Sequence, residues 1–265
     1  MKIVVAVKQV AALDEEFELL DDGVGVDPDY VEWDLNEWDT FSLEAALQLR
    51  ESVGGEGHEV VAVTVGEEEA EEGLLSCLAK GADRAVRVWD DVLEGADPLA
   101  VARVLAAIVE REAPDLVLCG VQSSDAVNGS TGTALAGYLD LPRVAVVTQL
   151  KWDGASGTAT VHRELEGGLL EVLRIRAPAL LTIQTGINEP RYATLRAIKQ
   201  AREKPLEVTG LEELGLDRGA VEAAAGSRTV ALATPDRGAG AEMLNGSPAA
   251  VAARIVEIVR ERMSG

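Results

Sequence analysis

The amino-acid sequence predicts an α/β fold: a doubly wound, mostly parallel sheet with an antiparallel extension and a C-terminal arm. Three observations carry this expectation. Through residue 139, short apolar runs of strand length alternate with longer stretches of helical period. From residue 144 the helical stretches stop, and strand-like runs follow one another through glycine-containing turns. After Pro205 the periodicity fades into a glycine-rich, acidic stretch that precedes one last helix.

The elements follow in order. Strands are expected at 2–7, 59–65, 85–89 and 116–119, and helices at 40–53, 68–80, 98–112 and 130–139. The punctuation agrees with this alternation. Asp97-Pro98 offers an N-cap and a proline at the first helical position, while Gly54-Gly55 and Gly81 offer C-terminal stops. Residues 13–39 are too many for an ordinary βα loop and carry the turn "DDGVGVDP", which suggests a small hairpin and a crossing loop. The runs "VAVVTQLKW", "ATVHREL", "LLEVLRI" and "ALLTIQ" are read as a largely antiparallel patch continuing the sheet. "LRAIKQAREKPLEV" is a short basic amphipathic helix stopped by Pro205, and Ser247-Pro248 caps the last helix. The chain is accordingly divided into a domain at 1–205 and an arm at 206–265, the arm being the kind of segment that reaches over a partner.

Composition narrows the function classes. The 265 residues are 47% hydrophobic and only 3% aromatic, so aliphatic side chains must fill one large core. Lys plus Arg is 24 against 46 Asp plus Glu, a net charge of -22 that repels nucleic acid and anionic membranes. Any phosphate must then be held at short range, by amides and hydroxyls. The N-terminus begins directly as a strand, and no apolar run approaches the ~20 residues that cross a bilayer, so a cytoplasmic chain without membrane insertion is expected. Cys77, Cys119, His58 and His162 are too few and too scattered for a zinc site, and the two cysteines read as buried thiols.

The most informative stretch is "GVQSSDAVNGSTGT" at 120–133, which leaves an apolar strand and enters a helix. The first amides of a helix lack partners, so this layout suits a phosphate. In a doubly wound fold the site lies at the carboxyl ends of the strands, which gathers Ala6, Asn36, Glu37, Trp38, Asp39 and Val65 around the loop residues Val121, Gln122, Asp125, Asn128, Gly129, Ser130, Thr131 and Gly132. The loop has no lysine or arginine, and neither G-x-x-x-x-G-K-[ST] nor G-x-G-x-x-G occurs. Nothing in it would stabilise charge on a departing phosphate, which points to binding without catalysis and to a monophosphate. An ordinary βα turn that merely starts a helix is the competing reading. A second unusual stretch, "NEPRYATLRAIKQA" at 188–201, carries Tyr192, Leu195 and Ile198 beside Arg191, Arg196 and Lys199. Either Leu195 and Ile198 pack inward from an amphipathic helix, or they anchor a partner with the basic residues as a rim.

These stretches resemble the β subunit of electron transfer flavoproteins. The resemblance is carried by "VAVKQV", "LNEWDTFSLEAALQLRE", "GADRAVRV", "DLVLCGVQSSD…TG" and "INEPRYATLRAIKQA", and it spans most of the chain through Pro205. It implies a Rossmann-like, adenine-nucleotide-binding fold and an electron carrier without its own catalytic centre. It further implies a structural AMP in the 120–132 loop, with FAD held mainly by a partner α subunit that the C-terminal arm clasps. It implies that the loop at Tyr192, Leu195 and Ile198 docks flavin-dependent dehydrogenases, such as acyl-CoA dehydrogenases, and that a quinone reductase accepts the electrons. Two other readings stay open: a free-standing adenine-nucleotide sensor, and a bifurcating-type subunit with a second FAD in place of AMP.

Overall fold

The structure is a computed structural model that describes residues 1–13, 17–21, 23–234, 241 and 243–263. Parts of the expected hairpin (14–16 and 22) and of the expected arm (235–240 and 242) lie outside the described residues. Strand β1 (Lys2–Ala6) leads into β2 (Gln9–Leu13), which pairs antiparallel with β3 (Val31–Leu35) beside the main sheet. There follow α1 (Glu37–Val53), β4 (Glu59–Val65), α2 (Ala70–Lys80), β5 (Arg84–Val88), α3 (Pro98–Glu112), β6 (Leu116–Gly120) and α4 (Thr131–Tyr138). Then come β7 (Arg143–Asp153), β8 (Thr158–Leu165), β9 (Leu169–Arg176), β10 (Ala179–Ile183), α5 (Leu195–Ala201), β11 (Leu206–Thr209), α6 (Arg218–Ala224) and α7 (Pro248–Met263).

The nine-stranded main sheet runs β11-β5-β4-β1-β6-β10-β7-β8-β9. It is parallel from β11 to β7 and antiparallel from β7 to β9. The two-residue period of β1 divides the core. Ile3 and Val5 face one apolar cluster with residues of α1 and α2, whereas Val4 and Ala6 face the other with residues of α3 and α4. From β1 the chain winds outward to β4 and β5, then returns to β6 on the opposite side of β1. This reversal leaves a crevice at the carboxyl ends of β1, β4 and β6.

Three expectations are revised. The run "ALLTIQ" is not part of the antiparallel patch: β10 inserts between β6 and β7 and is parallel to both. All five of its residues are buried, as suits a strand covered on both faces. The helix expected from residue 40 begins at Glu37 behind Asn36, with Glu37 and Asp39 placing acidic groups in its first turn, where the helix dipole favours them. The boundary at 205 also moves, because the first compact unit extends to Val230. Within it β11 pairs with β5 at the sheet edge, and Leu211 and Val221 are each 1% exposed. The second unit, from Ala231, contains α7, and none of that helix's residues is buried.

Candidate functional site

The crevice opens into a cleft of about 580 Å³. Its walls include Ala6, Asn36, Asp39, Val65, Val121, Gln122, Asp125, Asn128, Gly129, Ser130, Thr131 and Gly132, so twelve of the fourteen residues assigned to a nucleotide from the sequence converge there. Glu37 and Trp38 do not. Glu37 is exposed, and the Trp38 indole N–H donates to Gln184 Oε1 at 2.9 Å.

The first turn of α1 fastens the loops around the cleft. Asn36 donates from Nδ2 to the Gln122 carbonyl at 2.9 Å and accepts the Ser124 amide on Oδ1 at 3.2 Å. Asp39 accepts the Lys8 amide on one oxygen and the Gly120 amide on the other, both at 2.8 Å. Burial raises its carboxyl to about 6, although the hydrogen bonds from Gly120 and Lys8 pull the other way. Such close approach requires Gly120, since a Cβ there would lie 2.5 Å from Trp38 Cβ and 2.6 Å from Asp39 Oδ1.

Beyond Gly120 the loop turns back through Val127 (φ 52°) and Gly129 (φ 59°). For a β-branched valine the left-handed region is strained, as is common where a loop is held for a purpose. The loop then enters α4, packed so closely that a Cβ on Gly132 would lie 2.6 Å from Cys119 Sγ. Helices α3, α5 and α6 are capped by the side chains of Asp97, Thr194 and Asp217, but Ser130 makes no such bond at α4. The amides of Thr131, Gly132 and Thr133 find no acceptor among the described residues. These open donors, with the Ser130 and Thr131 hydroxyls beside them, suit a bound anion.

The sequence reading missed one wall of this cleft. Asp97, Pro98 and Val101 of the α3 N-terminus line it, as does the segment Ser227, Arg228 and Thr229. Asp97-Pro98 could be recognised as a helix start, but not that the second oxygen of Asp97 would reach across 130 residues of chain to Ser227. Lys8 Nζ is spent on Asp125, at 2.8 and 2.7 Å from its two oxygens. Burial would raise the Asp125 carboxyl, but the hydrogen bonds from Lys8 and Ser123 hold it below its usual range.

The stretch at 188–201 lies apart from the cleft. Tyr192 is 97% exposed, Leu195 81% and Ile198 48%, so neither Leu195 nor Ile198 is packed inward. Arg191 differs from the expected rim: it bonds the α1 carboxylates of Glu44 (Nε–Oε2, 2.8 Å) and Glu51 (Nη1–Oε1, 2.7 Å). Arg196 and Lys199 remain exposed.

A doubly wound sheet with an anion-ready helix N-terminus at its switch point defines a Rossmann-like α/β protein. The chain belongs to the electron transfer flavoprotein family: a family model described as "Electron transfer flavoprotein domain" matches residues 24–214. It is 50% identical over 262 residues to the electron transfer flavoprotein subunit beta of Methylophilus methylotrophus, covering 98% of each chain. The Bacillus subtilis (strain 168) subunit beta is 35% identical with 89% of each covered, and the human one 38% identical with 82% of this chain and 84% of the relative covered. The chain is thus of the β-subunit kind and serves electron transfer.

Proposed function

We propose that this chain holds one AMP in the cleft as a structural group, supports an α subunit that carries most of the contacts to FAD, and docks dehydrogenases through Tyr192, Leu195 and Ile198. The observation that carries the nucleotide assignment is the uncapped first turn of α4, whose free amides face a cleft large enough for a small ligand. The three carboxylates lining it among the described residues, Asp39, Asp97 and Asp125, are already committed to internal donors, leaving donors rather than acceptors open. FAD, when bound in the assembled carrier, supplies the electron-carrying chemistry. This chain's own residues shape the cleft, hold the loops and present the docking surface. Electrons would come from dehydrogenases, such as acyl-CoA dehydrogenases, and leave toward a quinone reductase. The beta-subunit names of the relatives and the unburied α7 both favour an α partner over a free-standing sensor.

Heat or acid precipitation of the purified chain should release AMP at close to one per chain, measured by chromatography of the supernatant. Release of FAD instead would point to the bifurcating type, and absence of any nucleotide would overturn the assignment.

A further inference from the structure

The segment 226–229 crosses the cleft wall and is fastened by a single side chain. Asp97 uses one oxygen to cap α3, accepting the amides of Leu99 and Ala100 at 3.0 Å each. Its other oxygen accepts the Gly226 amide at 2.8 Å, the Ser227 amide at 2.9 Å and the Ser227 hydroxyl at 3.1 Å. Gly226 permits this close approach, since a Cβ would lie 2.8 Å from Leu99 Cδ1. The result is that Arg228, otherwise an exposed residue near the end of the compact unit, lines the cleft. Only Lys8 and Arg228 among the described lining residues are cations. Lys8 is paired with Asp125, whereas Arg228 makes no ion pair among the described residues.

From this placement we infer that Arg228 is the cation of the nucleotide site, pairing with the ligand's phosphate opposite the open amides of α4, and that Asp97 is the positioning residue that holds it there. The inference rests on the adenylate reading of the cleft. It also resolves an apparent gap in that reading: the phosphate loop itself has no cation, and a net charge of -22 makes a local one valuable. Because residues 226–229 immediately precede the second compact unit in sequence, ligand and strap would hold each other, and an empty cleft would loosen the root of the arm.

The test uses the full chain freed of nucleotide, with AMP and adenosine as paired probes in equilibrium dialysis. Arg228→Met should weaken AMP binding about 10- to 150-fold, the loss of one charge-assisted hydrogen bond, and leave adenosine binding unchanged. Asp97→Asn keeps an acceptor for the helix amides while turning a donor toward Gly226 and Ser227. It should weaken AMP similarly with Arg228 intact, and it should speed trypsin cleavage after Arg228, a cleavage that AMP should slow in the wild type. Wild-type AMP affinity in Arg228→Met, or equal losses for AMP and adenosine, would overturn the role of Arg228. Wild-type affinity and cleavage in Asp97→Asn would overturn the clasp. A wild-type chain that bound neither probe would instead refute the adenylate reading itself.

Discussion

Asp39 illustrates how one residue can cost stability and still organise a site. The residue is 4% exposed, and the two amides it accepts lie 112 residues apart in sequence, at Lys8 after β1 and at Gly120 ending β6. Burial lifts the group to about 6, so the folded chain binds its proton more tightly than the unfolded chain does. Its contribution to stability is therefore fully present below the ordinary carboxylate value and is lost as pH rises through about 6. Asp97, Asp125 and Glu44 are shifted the other way and favour the fold at higher pH, so the wild-type profile alone would not isolate Asp39. Comparison with Asp39→Asn does. Denaturant melts of the two proteins should show the wild type gaining up to about 3 kcal/mol over the variant between pH 7 and pH 4, and a constant difference would refute the shifted carboxyl. None of this geometry is legible in the sequence. The string "NEWD" places Asn36 and Asp39 one helical turn apart, but which amides they accept depends on where β1 and β6 end.

At the scale of elements, the segment before α5 combines a fastened base with an exposed tip. Glu44 on α1 is 5% exposed, and Arg191 supplies most of its hydrogen bonds. Burial would raise the Glu44 carboxyl, but Arg191 holds it below its usual range. Arg191→Ala leaves that carboxylate with only Gln48 and the backbone amide of residue 191 as donors. It should cost about 2–4 kcal/mol, less than for a fully buried pair because the Arg191 side chain is 33% exposed. Leu195→Ala should instead leave the melt within about 0.5 kcal/mol and raise the dehydrogenase KM for the assembled carrier ~10- to 150-fold. A lowered melt with an unchanged KM for Leu195→Ala would reject the docking assignment. The sequence located α3 from 98 to 112 and β4 from 59 to 65 with the same bounds as the structure, because capping and apolar period are local signals. It misplaced β10, because pairing between β6 and β7 is decided by residues far along the chain. It also underrated 206–230, where a four-residue strand and a seven-residue helix gain their stability from the body they join rather than from their own periodicity.

For the molecule as a whole, the compact unit and the arm predict opposite effects of shortening. A chain ending at residue 230 should melt as the full chain does but fail to retain an α subunit in co-purification, because it lacks α7, whose Ile255, Val256 and Val259 are each 48% exposed. A chain ending at residue 205 should melt well below both, since it bares the β5 edge and removes Leu211 and Val221 from the core at ~1.5–3 kcal/mol each. Equal melts for the two shortened chains would put the boundary back at 205. The place of β10 in the sheet has a consequence of another kind, for synthesis on the ribosome. Strand β6 emerges well before its neighbour on that side, and the hairpins of β7, β8 and β9 are made in between. At ordinary translation rates the stretch from Gly120 to Ile183 takes roughly 3 to 13 s to add. For that interval the nascent chain carries an open, apolar β6 edge that only its own later residues can close, so the middle of the sheet is completed after every other strand of it except the β11 edge has been translated.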